Sequence, residues 1–338
     1  MDAMTTKLDN AIALYMEGIR DGNAREAITK YTGDRYIQHS TGVRDGVEGF
    51  LDFFGPFLER TPDRDIQVVR AIEDGDFVFV HVSQSLNGGT AKWITTDMFD
   101  TDENDRIIEH WDVIAEWVDD TVSGHSQIDG ANEVTDLHLT ESNKAVVADF
   151  IDAVLMNGQG ERSAEFISTE TYIQHNPQVA DGIDGVGAFM AQMAEAGTPM
   201  IYKYVFKILG QGNFVVSYCL AQIGDEDYAV FDIFRLQDGL IVEHWDNMEP
   251  LPRGEMLVNR GKFCRHHGPS RSIAGRHAGW PQRAGHTGGE PRDRTTGAGV
   301  VTWRRGRPLP TRAPARDRVS SSGAPEPARR GRRTNGDP

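Results

Sequence analysis

The tetrapeptide Tyr36-Ile37-Gln38-His39 occurs a second time, unchanged, at residues 172–175. A second tetrapeptide, Glu-His-Trp-Asp, also occurs twice, at residues 109–112 and 243–246. The Glu follows the first His by 70 residues in one copy and by 68 residues in the other. Two matches at nearly equal separation indicate that the chain contains the same domain twice.

The repeat period of about 136 residues fits two domains of ordinary size within 338 residues. We predict a first domain at 1–118, a linker at 119–139, a second domain at 140–254 and a basic disordered tail at 255–338. The linker is predicted because polar residues and glycine replace the apolar periodicity there.

Charge is divided unequally along the chain. Residues 260–338 hold 18 basic and 5 acidic residues, whereas the whole chain has a net charge of −16, so residues 1–259 carry −29. Because an acidic surface repels phosphate groups, nucleic acid is not an expected partner of the repeats. The Arg-, Gly- and Pro-rich tail lacks apolar periodicity, which predicts disorder. A GC-rich gene translated out of frame gives the same composition, so a frameshifted end stays open.

Composition also bears on the compartment. No window approaches the roughly 18 uninterrupted apolar residues of a membrane span, and the N-terminus lacks the apolar core of a signal peptide. Cys219 and Cys264 are the two cysteines, and they lie in different regions. A disulfide framework is therefore excluded, and a cytoplasmic protein without a membrane partner is expected.

In each repeat, helical periodicity comes first and extended segments follow. Three helical stretches precede four segments rich in β-branched and aromatic residues, which are separated by short Gly- and Asp-containing turns. The predicted strands are 65–72, 77–86, 92–99 and 106–113 in the first repeat, and 202–209, 214–223, 228–236 and 240–246 in the second. Helices followed by consecutive strands predict an α+β domain with a mainly antiparallel sheet.

The last strand of each repeat predicts a candidate site. Alternation along a strand places His110 and Asp112 on one face, and His244 and Asp246 on one face in the second repeat. The same alternation assigns Val242 to this face and Ile241 to the opposite face, together with Glu243 and Trp245. The first-repeat equivalents are Ile108 on the site face and Ile107, Glu109 and Trp111 on the other.

The preceding strand adds Asp97 in the first repeat and Asp232 in the second, each among apolar neighbours. A carboxylate in such surroundings is costly to ionise, so its pKa rises, as a general base for removing a proton beside a carbonyl requires. A nearby His could position this base or act as an acid. The alternative interpretation is structural: the Asp and His hydrogen-bond one another within the core.

We also include His39 and His175 among the candidate catalytic residues, in a loop between two helices. The alternative for each is a capping or turn histidine. His175, Asp232 and His244 could in principle bind a metal, but no Cys cluster or His-Glu-x-x-His motif supports this, so no metal is expected. Hydrolase-triad, NTP and NAD motifs are also missing from the sequence.

Taken together, each repeat resembles the SnoaL-like polyketide cyclase family of the nuclear transport factor 2-like superfamily. The resemblance rests on Tyr-Ile-Gln-His-Asn-Pro at 172–177, Asp-Ile-Phe-Arg at 232–235 and Ile-Val-Glu-His-Trp-Asp at 241–246. The first repeat departs from this pattern at Ser40-Thr41, which replaces Asn-Pro, and at Asp100, which replaces Arg. The second repeat, and His175 in particular, therefore carries the fuller motif.

This resemblance implies tandem cone-shaped domains, each a curved sheet with helices on its concave side around an apolar pocket. It also implies cofactor-independent acid/base chemistry, such as aldol cyclisation or isomerisation through an enolate, on a small apolar carbonyl compound. Domains of the superfamily often pair through their sheets, so a pseudo-dimer of the two repeats and a homodimer are both expected possibilities. The open alternatives are ketosteroid-isomerase-like or epoxide-hydrolase-like chemistry and a non-catalytic module that binds a small ligand or assembles partners.

Overall fold

The computed structural model describes residues 6–252 and 258–264. Most of the predicted disordered tail lies outside the described residues. The first repeat consists of α1 (Lys7–Ala13), α2 (Ala24–Tyr31), β1 (Thr32–Gln38), α3 (Gly46–Arg60), β2 (Arg64–Asp74), β3 (Phe77–Leu86), β4 (Ala91–Thr101) and β5 (Ile107–Glu116). The second consists of α4 (Thr140–Phe150), β6 (Ile173–Gln174), α5 (Gly182–Glu195), β7 (Met200–Gln211), β8 (Phe214–Ile223), β9 (Glu226–Gln237) and β10 (Leu240–Pro250).

Each repeat forms one five-stranded sheet, in the order β1-β5-β4-β3-β2 and β6-β10-β9-β8-β7. Neighbouring strands are antiparallel except for the first strand of each repeat, which runs parallel to the last. The predicted α+β class is confirmed. Among the described residues, no helix is long and apolar enough to cross a membrane.

The Tyr-Ile-Gln-His stretch belongs to the sheet, which corrects the predicted loop between two helices. Residues Tyr36–Gln38 end β1, and the backbone N–H of His39 donates to the carbonyl of His110 at 2.9 Å. In the second repeat, β6 has only two residues. A strand this short, with no run of alternating residues before it, has no detectable period in the sequence.

A bulge near the start of β5 and β10 corrects the predicted faces of Ile107 and Ile241. The register shifts between Asp100 and Thr101 on β4, and between Ile241 and Glu243 on β10. One extra residue reverses the alternation. Ile107 and Ile241 therefore pack in the helix-side cores, on the face that His110 and His244 share.

The first helix of each repeat begins as an α-helix and continues as a π-helix. Thr6 caps α1 in a reciprocal capping box with Asp9. The π-helical segments are Leu14–Arg20 and Ile151–Met156, at equivalent positions of the two repeats. Both helices pack their apolar side chains onto the inner face of their own sheet.

The outer faces of the two sheets share one aromatic core. The ring centroids of Phe79 on β3 and Phe231 on β9 lie 5.5 Å apart, and those of Trp111 on β5 and Phe206 on β7 lie 5.6 Å apart. Trp245 of β10 belongs to the same buried cluster. Polar contacts also cross between the repeats: Lys144 Nζ lies 2.6 Å from Asp74 Oδ2. The two repeats thus bury their outer faces against each other.

Removing one central ring of this shared core tests its contribution to stability. Phe231 is fully buried and stacks on Tyr218 at 4.3 Å. We expect Phe231→Ala to lower the free energy of unfolding by about 3–5 kcal/mol, because it leaves a cavity between the sheets. Chemical denaturation measures this loss. The matched control is Phe53→Ala on the exposed side of α3, which should change stability by less than about 1 kcal/mol; equal losses would contradict the shared core.

Candidate active site

The structure brings together the carboxylate and His candidates of each repeat on the inner face. Asp97 on β4 is the register partner of Asp112 on β5, and Asp232 is the partner of Asp246. With His110 or His244, each pair forms a cluster whose possible ligand atoms all lie within 4.8 Å of one another. These atoms already have protein donors: the Lys262 ammonium lies 2.7 Å from Asp112 Oδ1, and the Tyr202 and Ser217 hydroxyls donate to Asp232, so neither cluster offers a full set of free metal ligands.

His110 links Asp97 to Gln38. Its Nε2 lies 2.8 Å from Asp97 Oδ1, and its Nδ1 lies 2.8 Å from Gln38 Oε1. Gln38 Nε2 donates to the Tyr36 hydroxyl at 2.8 Å, which leaves the Gln38 oxygen to accept from Nδ1. Nδ1 therefore carries a hydrogen, and Nε2 is the ring nitrogen that faces Asp97. The hydrogen bond between Nε2 and Asp97 contains one proton, which either residue can hold. The pair is built to share one proton.

Asp97 has an unused oxygen. Burial raises the pKa of the Asp97 carboxyl, and the hydrogen bond from His110 only partly offsets this effect. Oδ2 is buried and has no hydrogen-bond partner among the described residues. The Tyr15 hydroxyl also faces this carboxyl and shares a hydrogen bond with Thr95 Oγ1 at 3.3 Å, in which either oxygen can be the donor. A carboxyl with a raised pKa and a free oxygen can accept a proton from a ligand.

Asp112 is in the opposite electrostatic state. Burial alone would raise its pKa, but the Lys262 ammonium and then His110 outweigh burial and hold the pKa below its ordinary value. Lys262 Nζ lies 2.7 Å from Asp112 Oδ1. The first cluster therefore contains one carboxyl that retains a proton easily and one that stays ionised, a difference that separates acid and base roles.

The second cluster has fewer free groups. Asp232 Oδ1 accepts from the Tyr202 hydroxyl at 2.9 Å and lies 3.3 Å from His244 Nε2, while Oδ2 accepts from the Ser217 hydroxyl at 2.9 Å. Both oxygens of this carboxylate are thus occupied. The sequence motif favoured the second repeat, whereas the first repeat has the available oxygen.

Asp246 differs from its counterpart Asp112. Its Oδ2 accepts from Asn176 Nδ2 at 2.7 Å. Burial raises its pKa, and the charge of His244 offsets this only in part. The neutral amide of Asn176 thus contacts Asp246, whereas the Lys262 ammonium contacts the equivalent Asp112 in the first repeat.

His39 and His175 are not in these clusters. They lie on the outer face, where His39 Nε2 is 2.7 Å from Glu109 Oε1 and His175 Nε2 is 2.9 Å from Glu243 Oε1. Each ring stacks on the Trp of its own repeat, with centroids 4.7 Å and 4.5 Å apart. The sheet separates them from Asp97 and Asp232 because adjacent residues on β5 and β10 point to opposite faces.

Segments that follow the sheets cover these two histidines. The carbonyl of Gly261 lies 2.7 Å from His39 Nδ1, and the carbonyl of Ser126 lies 2.8 Å from His175 Nδ1. The linker after β5 thus covers the second repeat, and the segment after β10 covers the first. Residues 258–264, inside the predicted tail, are therefore packed on the repeats.

The outer-face carboxylates differ between repeats because of the Arg that the first repeat lacks. Arg235 Nε lies 2.6 Å from Glu243 Oε2. Burial would raise the pKa of Glu243, but the hydrogen bonds from His175 and Arg235 outweigh it and lower the pKa. Asp100 stands at the equivalent position beside Glu109, and burial, followed by the charge of Glu109, raises the pKa of Asp100 to about 6.

Several residues that contact the candidate histidines and carboxylates were not among the predicted site residues, and only some of them could have been found from the sequence. Gln38 and Gln174, which hold the inner-face histidines, lie inside the repeated tetrapeptide, and Glu109 and Glu243 lie inside the second one. Their repetition could have identified them. Lys262 had no such signal, because it comes from a segment without periodicity.

One cleft in the described structure, of about 560 Å³, lies between the first helix and β2, with Ile12, Met16 and Val68 in its wall. Another, of about 350 Å³, is lined by residues 168–173 with Asp181 and Gly182. Neither cleft is lined by a predicted catalytic residue, and the inner-face clusters are buried among aromatic side chains.

The fold consists of tandem α+β domains with a carboxylate–histidine cluster on the inner face of each sheet. The sequence model of the SnoaL-like domain family matches residues 12–110, inside the first repeat. The chain therefore contains a SnoaL-like domain, as the sequence motifs predicted. The second sheet has the same strand order, which fits a second copy.

Solved structures give further similarities. The chain is similar to a candidate ketosteroid isomerase from Kribbella flavida DSM 17836, with 21% identity over 38% of this chain and 96% of that chain and a TM-score of 0.30. It is similar to a candidate polyketide cyclase from Bacillus cereus ATCC 10987, with 17% identity over 32% of this chain and 71% of that chain and a TM-score of 0.28. For wild-type IdmH, a candidate polyketide cyclase from Streptomyces antibioticus, the identity is 22%, the coverage 32% and 91%, and the TM-score 0.27. No curated protein matches the chain.

Gly130 tests how tightly the linker covers His175. Its φ is +85°, and a Cβ there would press against Glu243 Oε1 and lie 2.9 Å from His175 Nε2. We expect Gly130→Ala to destabilise the protein by about 2–4 kcal/mol. Gly187→Ala in α5 is the control: its Cβ would meet no atom within 4 Å, so stability should stay equal or rise by up to about 1 kcal/mol. Equal effects in thermal unfolding would contradict the close packing.

Asp100 gives a pH-dependent prediction. In the folded protein the pKa of Asp100 is raised from 3.8 to about 6. Its favourable contribution to the free energy of unfolding is therefore complete below about pH 4 and is lost as the pH rises through 6. Asp100→Asn removes this loss. We expect the variant to gain about 1–2 kcal/mol at pH 8 and nothing at pH 4, after allowance for solvent screening. Asp34→Asn, at an exposed site, is the control in urea titrations at both pH values; a gain that does not depend on pH would refute the assignment.

Proposed function

We propose that the first repeat is a cofactor-independent acid/base catalyst that forms an enolate from a small apolar carbonyl compound. Asp97 is the proposed general base. The observation that carries this proposal is the unpartnered, buried Oδ2 of Asp97, on a carboxyl whose pKa is raised by burial. The other oxygen is held in place by His110.

The proposed reaction requires only proton transfers and carbon–carbon bond changes. Asp97 Oδ2 takes a proton from the carbon beside the carbonyl, the C–H electrons form a C=C bond, and the carbonyl π electrons move to oxygen. The enolate then attacks a second carbonyl of the same molecule in an aldol cyclisation, or takes the proton back at another carbon in an isomerisation. Asp97, now protonated, returns its proton in either case.

The surroundings of Asp97 suit such a ligand. Phe99 stacks on His110 with ring centroids 4.8 Å apart, and Phe50 packs edge-on against Tyr36 with ring centroids 6.2 Å apart. Burial, followed by the charge of Asp97, raises the pKa of the Tyr15 hydroxyl far above its usual range, and the pKa of Tyr36 is raised by the same two causes. Both hydroxyls therefore stay protonated, so they are available as donors to an enolate oxygen.

Within this proposal the second repeat is a non-catalytic partner that completes the shared core. The specific observation in favour is the contact of Asp232 with Tyr202, Ser217 and His244. Three fixed partners leave the Asp232 carboxylate fewer free lone pairs for a ligand proton than Asp97 has, which disfavours it as a base.

The two aspartates provide a matched pair of variants. Asp97→Asn removes the proposed base, so proton–deuterium exchange into enolisable ketones, followed by NMR in D2O, should fall about 10²–10⁴-fold. Stability at neutral pH should stay equal or rise, because ionising Asp97 in the folded state opposes folding. Asp232→Asn should retain the exchange rate and lose about 1–3 kcal/mol of stability, because its hydrogen-bond donors lose an acceptor.

The screen is carried out first on the unmodified full chain, with a panel of apolar ketones of increasing size. Retention of full exchange by Asp97→Asn would refute the role of Asp97. Loss of exchange in a folded Asp232→Asn variant would move the site to the second repeat.

A further inference from the structure

Residues 258–264 connect the end of the second repeat with the site of the first. Asn259 Nδ2 donates to the carbonyls of Ser40 and Val43 at 2.7 Å and 2.9 Å. Phe263 stacks on Tyr218 of β8 with ring centroids 5.0 Å apart. The segment is therefore fixed on both sides of Lys262, by the first repeat and by the second.

Lys262 is buried and uses all its donors. Its Nζ lies 2.8 Å from the carbonyl oxygen of Asp112, 2.7 Å from Asp112 Oδ1 and 2.9 Å from Glu249 Oε2. An ammonium has three N–H groups, so each finds an acceptor. Glu249 belongs to β10 and also accepts from the backbone N–H of Ile114. One cation thus joins a first-repeat carboxylate to a second-repeat carboxylate.

Such a group is not an obvious source of stability. Removing a cation and two carboxylates from water is costly, and well-packed apolar residues often replace a buried ion pair without loss. The effect on the neighbouring site is clearer. Asp112 faces Asp97 across the β4–β5 ladder, and two carboxylates in one site cannot both ionise freely. The ammonium decides which of the two keeps its charge.

The second repeat shows what the site is like with a neutral partner. Asp246 is at the position equivalent to Asp112, and its Oδ2 contacts the side-chain amide of Asn176. The raised pKa of Asp246 contrasts with the lowered pKa of Asp112. The difference follows the change from an ammonium to an amide.

We propose that Lys262 is a positioning residue of the first-repeat site, which keeps Asp112 as the ionised carboxylate and leaves Asp97 as the carboxyl that exchanges a proton. The proposal rests on the proposed function for the meaning of Asp97, but its electrostatic part holds without any turnover. The groups that face Asp112 are His110 on its own strand, Asp97 on β4, Lys262 and the hydroxyl groups of Ser40, Tyr15, Tyr36 and Tyr218.

Lys262→Met in the full chain tests the electrostatic link. The variant keeps most of the side-chain length and leaves Asp112 without its cation, so we expect the melting temperature at pH 7 to fall by about 5–10 °C. Asp112 would then be governed by burial, which raises its pKa, so acidification should relieve the variant. The difference from the wild type should shrink as the pH falls through the raised pKa of Asp112 in the variant, and should close as the pH falls through the lowered folded pKa of Asp112 in the wild type.

A double variant separates charge pairing from loss of packing. If Asp112 and Lys262 act as a pair, the loss in Lys262→Met/Asp112→Asn is clearly smaller than the sum of the single losses. The control is Lys203→Met, which removes an exposed partner of Asp227 and should change the melting temperature little at any pH. Additive losses, or a Lys262→Met effect independent of pH, would overturn the proposal.

If Lys262→Met does not fold, Asp112→Asn alone decides. Pairing predicts a lower melting temperature than the wild type at pH 7, and the difference shrinks as the pH falls below the ordinary aspartate range and through the lowered pKa of Asp112 in the folded chain, where the carboxylate loses its charge. An Asp112→Asn variant as stable as the wild type at pH 7 would overturn it. These readouts are independent of turnover, so an inactive Asp97 would remove the proposed function and leave the link between Lys262 and Asp112 standing.

Discussion

The burial of two apolar sheet faces against each other is the constraint on which the rest of the structure depends. Each repeat covers its inner face with its own helices, and the outer face has Trp111 or Trp245 at its centre. An uncovered aromatic face of this kind is unfavourable in water. Because the copies are in one chain, each outer face always has the other repeat available to cover it, without dependence on protein concentration.

This pairing also explains where the connecting segments lie. The chain leaves each sheet at the side where the other repeat is packed, so each exit segment reaches the other copy. The linker places Asp129 against His175, while residues 258–264 place Gly261 against His39. The crossing is reciprocal, but only the second segment brings a cation to the inner cluster. Duplication thus gave two similar sites, which now differ through Lys262 in the first repeat and through Tyr202, Ser217 and Asn176 in the second.

The sequence was sufficient for the duplication, the α+β class and the convergence of Asp97, His110 and Asp112, because these follow from repeated motifs and strand alternation. It was not sufficient for the short parallel strands, since two residues of β6 have no measurable period. The bulges at Ile107 and Ile241 reversed a face that alternation had assigned, and a bulge is set by the register between strands rather than by one strand's composition.

The difference between the two sites was also beyond the sequence. Asn176 made the second motif look more complete, whereas the structure gives the free carboxyl oxygen to the first repeat. The contact of Lys262 with Asp112 spans 150 residues, and no local pattern reports a contact at such a distance. Side chains that are far apart in sequence decided which copy has an available base.

The most direct test of this account is a pH titration of the side-chain carboxyl carbons of Asp97 and Asp112 by NMR in the intact chain. Variants with Asn at each position would assign the two signals. The account predicts that Asp97 titrates above the ordinary range for aspartate and Asp112 below it. The reverse order, or two carboxyls that titrate together in the ordinary range, would contradict it.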